Sequence, residues 1–253
     1  MTVSKVNTAV LDIDMGNTRL KWRLSDIGEI VARGAHSWEG NKPLPSSLWD
    51  SLTLSPGRVR VASVAGAERI AQLSSLVLSL WSVSLELAES RLSHGDLRNA
   101  YEQPSVLGVD RWLAVLAAYQ RDGGPCLIVD CGSAVTVDLL AERGRHIGGY
   151  ILPGMSLMRR ALFSDTDAVK VPVGDLPAGL APGRCTEDAV FSGLALMVLG
   201  LVEQAGRKLN ATGACRIYLT GGDAERLRSY FENLGELFYE PELVLDGLAL
   251  ALP

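Results

Sequence analysis

At 253 residues, with 47% hydrophobic and 21% charged side chains, the chain can bury a sizeable core and is too apolar to be disordered. One compact domain or two small ones fit that length. A formal net charge of -5 and no basic stripe argue against a dedicated nucleic-acid binder.

Residues 1–8 carry a single lysine and no apolar run of signal-peptide length, so no leader is expected. The first strand is expected at Ala9–Asp14, a turn at Met15–Thr18 and a second strand at Arg19–Leu24. A reversal at Asp26-Ile27-Gly28 leads into a third β-prone run, Glu29–His36. After a Pro/Ser-rich patch, Lys42–Ser47, the run Val59–Gly66 reads as strand then glycine. It feeds a helix over Ala67–Leu80, with Ile70, Leu73, Val77 and Leu80 at helical spacing. Near Gly108 another helix begins, with Trp112, Leu113, Leu116 and Ala117 as its apolar stripe.

The later part repeats the plan. Cys126–Asp130 and Val135–Leu140 are strands around a turn at Cys131–Ala134, and Glu142–Gly144 turns into a third strand, His146–Leu152. Phe163–Arg184, rich in Gly, Pro and Asp, reads as a long surface loop before an apolar helix over Glu187–Leu209. The most apolar part of that helix, Ala189–Val202, is shorter than the ~20 residues that cross a bilayer. Arg216–Gly222 is again strand then glycine, followed by a helix from Asp223 to about Asn233. Cys126, Cys131, Cys185 and Cys215 form no C-x-x-C pair and suit reduced thiols in a cytoplasmic protein.

Two turns carry candidate chemistry. In Asp14-Met15-Gly16-Asn17-Thr18, glycine lets backbone N–H groups approach a phosphate, Asn17 and Thr18 add donors, and Lys21 can reach a terminal phosphate. Asp14 suits Mg²⁺, directly or through water, although a plain hairpin turn would use the same residues. Asp130-Cys131-Gly132-Ser133 offers a second carboxylate, glycine and hydroxyl. Opposed turns of this kind resemble the actin, sugar-kinase and Hsp70 superfamily, with Gly221-Gly222 where such folds receive adenosine. That likeness implies an α/β fold of two duplicated ribonuclease H-like (actin-like ATPase) domains facing a nucleotide cleft, here 1–118 and 119–253. Between the turns, Gly108-Val109-Asp110-Arg111-Trp112 places a carboxylate and a guanidinium in a first helical turn. Asp110 is the candidate acceptor of a substrate hydroxyl proton; a helix-stabilising acid is the alternative.

Taken with Tyr101-x-x-Pro104, Gly148-Gly149-Tyr-Ile-Leu-Pro153-Gly154 and Thr220-Gly221-Gly222, these motifs closely resemble type III pantothenate kinases from about Val10 to Leu252. The resemblance implies transfer of the ATP γ-phosphate to pantothenate, the first step of coenzyme A synthesis. It implies that Asp14, Met15, Gly16, Asn17, Thr18, Arg19, Leu20 and Lys21 form the ATP phosphate loop, with Ser133 contacting ATP from the other turn. Asp110 becomes the general base, and Tyr101, Gly108, Val109 and Arg111 line the pantothenate pocket. Thr186 touches pantothenate across a homodimer, and Asp130 holds a monovalent cation, K⁺ or NH₄⁺. Thr186 would equally serve as an N-cap, and Gly148-Gly149 and Pro153-Gly154 as scaffold.

His36, His94 and His146 fall in no catalytic arrangement and read as surface or loop residues, while the five tryptophans read as core or interface packing. Neither a nucleic acid nor a membrane is an expected partner. Competing readings are an accessory transcription regulator on the same fold and another small-molecule kinase of the superfamily.

Overall fold

The computed structural model describes residues 7–38, 40, 42–50, 52–164, 179–209 and 215–253. The first sheet contains β1 (Val10–Met15), β2 (Arg19–Asp26), β3 (Glu29–Ser37), β4 (Arg58–Ser63) and β5 (Leu85–Leu87), in the order β3-β2-β1-β4-β5. Helix α1 (Ala67–Trp81) joins β4 to β5. A short pair, β6 (Ser93–His94) and β7 (Leu97–Arg98), leads to α2 (Val109–Asp122).

The second sheet is built on β8 (Cys126–Cys131), β9 (Ala134–Ala141), β10 (Arg145–Pro153), β11 (Arg216–Thr220) and β12 (Glu236–Tyr239). Its order is β12-β11-β8-β9-β10-β7-β6. Helices α3 (Met155–Ser164) and α4 (Thr186–Lys208) lie between β10 and β11, α5 (Ala224–Phe231) follows β11, and α6 (Leu243–Ala251) comes last.

The duplication is visible in pairing. β1 runs antiparallel to β2 and parallel to β4, and β8 runs antiparallel to β9 and parallel to β11. The order third-second-first-fourth-fifth therefore occurs twice. This is the α/β architecture expected from the sequence.

Alternation decides which residues face each core. In β1 and β2, Leu11, Ile13, Met15, Leu20, Trp22 and Leu24 enter the first core, which Val59, Val61, Leu73 and Val77 complete. Asp12, Asp14, Lys21 and Arg23 take the other face. In β8, Leu127, Val129 and Cys131 enter the second core with Val135, Val137, Ile217 and Leu219. The opposite face of β8 is also apolar, so Cys126 and Cys131, five residues apart and on opposite faces, are both buried.

The chain forms two compact units. One comprises Met1–His94, Gln103–Ala117 and Val244–Pro253; the other comprises Gly95–Glu102 and Ala118–Leu243. The chain therefore passes between the units after residues 94, 102, 117 and 243, where the sequence reading has one boundary, after residue 118. The last helix returns to the first unit because Arg23 donates to Asp246 and to the Leu245 carbonyl, and Arg60 donates to the Leu252 carbonyl.

Three local expectations change. Residues 163 and 164 belong to α3, and 165–178 of the expected loop lie outside the described residues. Cys185, not Thr186, caps α4, its sulfur accepting from the Asp188 N–H at 3.5 Å. At 23 residues α4 is long and apolar enough to cross a bilayer by length and composition, whereas the sequence placed its apolar part below that length. Leu194, Ala195, Val198, Leu199, Val202 and Ala205 bury its inner face in the second core.

Candidate functional site

In the first unit the turn after β1 is fixed by its own backbone. The Gly16 N–H donates to the Arg19 carbonyl at 2.9 Å, and a β-carbon at Gly16 would lie 3.2 Å from that oxygen. The Gly16 carbonyl accepts from the Trp38 indole N–H at 2.9 Å, and the Arg69 guanidinium lies 3.9 Å from the centre of the Trp38 ring. Asn17, Thr18 and Arg19 are exposed at the tip. Asp14 and Lys21 are cross-strand partners and both half-buried, so a carboxylate and an ammonium group share one sheet face beside the turn. Met15 and Leu20, expected in the phosphate loop, put their side chains in the core, which leaves only their backbone for a ligand.

One step further along that face, Asp12 is opposite Arg23 on β2 and Arg60 on β4. Its carboxylate accepts from Arg60 at 2.6 and 3.0 Å and from Arg23 at 3.2 Å, with all three side chains buried. The Arg23 guanidinium stays above its ordinary pKa: burial opposes its charge, and the Asp246 and Asp12 carboxylates outweigh that cost. This triad carries no unbalanced buried charge because Asp246 supplies the second carboxylate.

Helix α2 belongs to this unit up to Ala117. Trp112 to Ala118 are all buried, so the middle of the helix is apolar on every side and its polar residues lie in its first turn, at Asp110 and Arg111, and in its last, from Gln120 to Asp122. There Gly108 accepts from the Trp112 N–H at 3.1 Å, and a β-carbon on Gly108 would sit 2.6 Å from an Asp110 carboxylate oxygen. Glycine thus keeps a space that the carboxylate fills. Asp110 also accepts from the Arg111 N–H at 2.8 Å. Arg111 and Val109 are buried, and Asp110 is half-buried.

In the second unit the turn after β8 is assembled from three chain segments. The Gly132 N–H donates to the Ala134 carbonyl at 3.0 Å. The Gly154 N–H donates to the Ser133 carbonyl at 3.0 Å, and a β-carbon on Gly154 would lie 2.3 Å from the Gly132 carbonyl oxygen. The Asp223 N–H donates to the Cys131 carbonyl at 2.8 Å. Gly221, at φ +103°, lies so close that a β-carbon would approach an Asp130 carboxylate oxygen at 2.5 Å. The Pro153-Gly154 and Gly221-Gly222 motifs therefore build the turn that presents half-buried Asp130 and exposed Ser133.

Tyr101 also lies in the second unit, half-buried, its N–H donating to the Asn99 side chain at 2.9 Å. Thr186 is exposed in the first turn of α4. The candidate residues thus fall into two groups: Asp14–Lys21 with Gly108–Arg111, and Tyr101 with Asp130, Ser133 and Thr186. Among the described residues, no group of three or more His, Cys, Asp and Glu side chains is placed to hold a metal.

His146 corrects the sequence reading. It is 3% exposed, and its Nε2 is 2.9 Å from Asp138, itself 1% exposed. The signal was in the sequence: Asp138 interrupts the apolar run Val135–Leu140, and a buried carboxylate needs a partner.

The sequence profile of the type III pantothenate kinase family matches residues 10–208. Among curated relatives, a type III pantothenate kinase of Pseudomonas aeruginosa is 37% identical over 249 residues, covering 96% of this chain and 99% of its own length. One from Marinobacter nauticus is 40% identical over 242 residues, covering 94% and 96%. Solved structures extend the fold likeness further. A Campylobacter jejuni protein assigned to the Baf family of transcriptional activators has a TM-score of 0.58 at 21% identity, covering 94% of this chain and 95% of its own. A Sinorhizobium meliloti protein described as a 2-dehydro-3-deoxygalactonokinase has a TM-score of 0.58 at 16% identity, covering 96% and 97%. Two turns on a duplicated sheet order, a Gly-Val-Asp-Arg helix start and these nearly full-length matches converge: the chain belongs to the type III pantothenate kinase family.

Proposed function

We propose that the protein transfers the γ-phosphoryl group of ATP to pantothenate, giving 4'-phosphopantothenate and ADP, the first step of coenzyme A synthesis. The observation that carries this reading is Asp110 at the start of α2, with Gly108 leaving room for its carboxylate, in a chain of this family. The acceptor hydroxyl oxygen bonds to the γ-phosphorus as its proton passes to Asp110, and the bond to the ADP oxygen breaks. Arg111, with its fork of donors, suits the acceptor's carboxylate, and Tyr101, Gly108 and Val109 complete that pocket.

Asp14 to Lys21 form the phosphate turn on this reading, with Ser133 reaching the nucleotide from the second turn. Mg²⁺ arrives with ATP and neutralises phosphate charge, and Asp14 is the residue to hold it, directly or through water. Asp130 is assigned to a monovalent cation, K⁺ or NH₄⁺. A turn with one carboxylate and several carbonyls suits a weakly held monovalent ion, and no multi-carboxylate cluster occurs among the described residues.

A homodimer supplies Thr186 to the pantothenate site of the other subunit. Support comes from exposed Thr186 and from Leu196 and Met197 on α4, which are 51% and 54% exposed. Four unpaired cysteines fit a cytoplasmic enzyme. A regulatory role draws only on the Baf description of a structure 21% identical, a likeness that extends to the fold alone.

The test is ADP release by the purified protein with MgATP and K⁺ across a panel of acceptors. Turnover is expected with pantothenate and not with sugars or acetate. A folded protein that releases no ADP with pantothenate refutes the assignment. Omitting K⁺ and NH₄⁺ tests Asp130.

A further inference from the structure

The buried pair His146–Asp138 has no part in the mechanism above, yet it lies beside a segment that does. His146 is the second residue of β10 and pairs with Leu140 of β9. Asp138, two residues before Leu140, therefore shares its face, and the two side chains meet at 2.9 Å with 3% and 1% residue exposure. An ionised carboxylate only accepts, so Nε2 carries the hydrogen and Nδ1 presents a lone pair. The Ala100 N–H donates to that Nδ1 at 3.4 Å. Ala100 stands between Asn99 and Tyr101, and the Asn99 side chain accepts from the Tyr101 N–H at 2.9 Å. The same segment follows β7, which meets β10 through the single register pair Arg145–Arg98. Gly144, at φ +67°, permits that approach, since a β-carbon there would lie 3.0 Å from the Asp96 carbonyl oxygen and the Leu97 Cα. The β7–β10 ladder stops at Arg98, and beyond it the imidazole holds the Ala100 amide.

We propose that His146, fixed as the Nε2–H tautomer by Asp138, is a positioning residue that holds the Asn99–Tyr101 segment and so sets Tyr101 against the acceptor. The proposal rests on the reading of Tyr101 as part of the pantothenate pocket. The two ring nitrogens then have separate roles, Nε2 anchoring the ring and Nδ1 holding the substrate-side backbone.

Two substitutions divide those roles. Asparagine places an oxygen where Nδ1 was, and glutamine places its amide where Nε2 was. With each substrate varied in turn, His146→Gln is expected to raise KM for pantothenate severalfold, up to about tenfold, the effect of one partly buried N–H losing its acceptor. KM for ATP stays within about twofold, because the phosphate turn is built from other segments. His146→Asn keeps KM for pantothenate within about threefold of the native value despite losing Asp138, since the Ala100 bond survives. An unchanged pantothenate KM in His146→Gln, or equal rises for both substrates in both variants, overturns the proposal. Nitrogen-15 NMR of the native protein decides it without any variant: the Nε2–H tautomer is expected, and an Nδ1–H tautomer refutes it because that nitrogen could not accept. Native protein that shows the expected tautomer but turns over no pantothenate instead refutes the assigned reaction.

Discussion

Asp110 owes its place to what precedes it. A side chain on Gly108 would occupy the carboxylate's space, and the apolar stretch Trp112 to Ala118 behind it sets the first turn apart as the polar start of that helix. Asp110→Asn keeps the shape and removes the proposed proton acceptor, so kcat is expected to fall ~10²–10⁴-fold. The melting temperature should hold within a degree or two; steady-state kinetics beside thermal unfolding separate this from misfolding. Native activity in the variant would place the base elsewhere. Trp38 holds the Gly16 carbonyl of the turn proposed to bind phosphate. Trp38→Phe keeps a ring beneath Arg69 and loses the N–H, so KM for ATP should rise about three- to tenfold with KM for pantothenate little changed. Titrating each substrate against both proteins checks this.

At the scale of elements, much of the fold was legible where patterning was clear. Alternation in Val10–Met15 and Arg19–Leu24 marked the first hairpin, and helical spacing from Ile70 to Leu80 marked α1. Short and uniform pieces were not. β5 is three residues and β7 two, too few to show a period. α6, Leu-Val-Leu-Asp-Gly-Leu-Ala-Leu-Ala, is apolar nearly all round and shows no face. His146 was hidden by its polar neighbours Arg143 and Arg145, although the strand's alternation turns it inward. For the candidate site, residue types at Asp14, Asp110 and Asp130 were readable, but the close approach of Gly154 and Gly221 to the second turn depends on tertiary contact. The same kind of contact governs α6. A β-carbon at Gly247 would lie 2.0 Å from the Leu113 carbonyl oxygen of α2. Gly247→Ala must push the helices apart, at a cost of about 1–3 kcal/mol. Urea unfolding measures it, and an unchanged midpoint would show that α6 is not packed against α2 this closely.

Across the whole molecule, thiols report whether both faces of the β8 sheet stay closed. Burial pushes the Cys126 thiol up to about 12, and burial with the Asp130 and Asp223 charges pushes Cys131 higher still. Both should resist iodoacetamide at pH 8 in the native protein and react once it is unfolded, as mass spectrometry of labelled peptides will show. Rapid native labelling at Cys131 would contradict a closed second core, and at Cys126 a closed opposite face of that sheet. The same shifts have a sign for stability. Above about pH 9, the ordinary value of 9.0 for a thiol, the unfolded cysteines ionise while the folded ones stay protonated. The cysteine contribution therefore falls as pH rises through that range.

The return of α6 to the first unit also orders events during synthesis. Asp12, Arg23 and Arg60 emerge early, whereas Asp246 and the carbonyls of Leu245 and Leu252 that receive the two guanidinium groups come after the entire second unit. Domains ordinarily fold in the order in which they leave the ribosome. Here the first-made sheet waits for the last-made helix to cover its charged face, so a nascent chain stopped short of residue 243 carries an open first unit and no completed kinase.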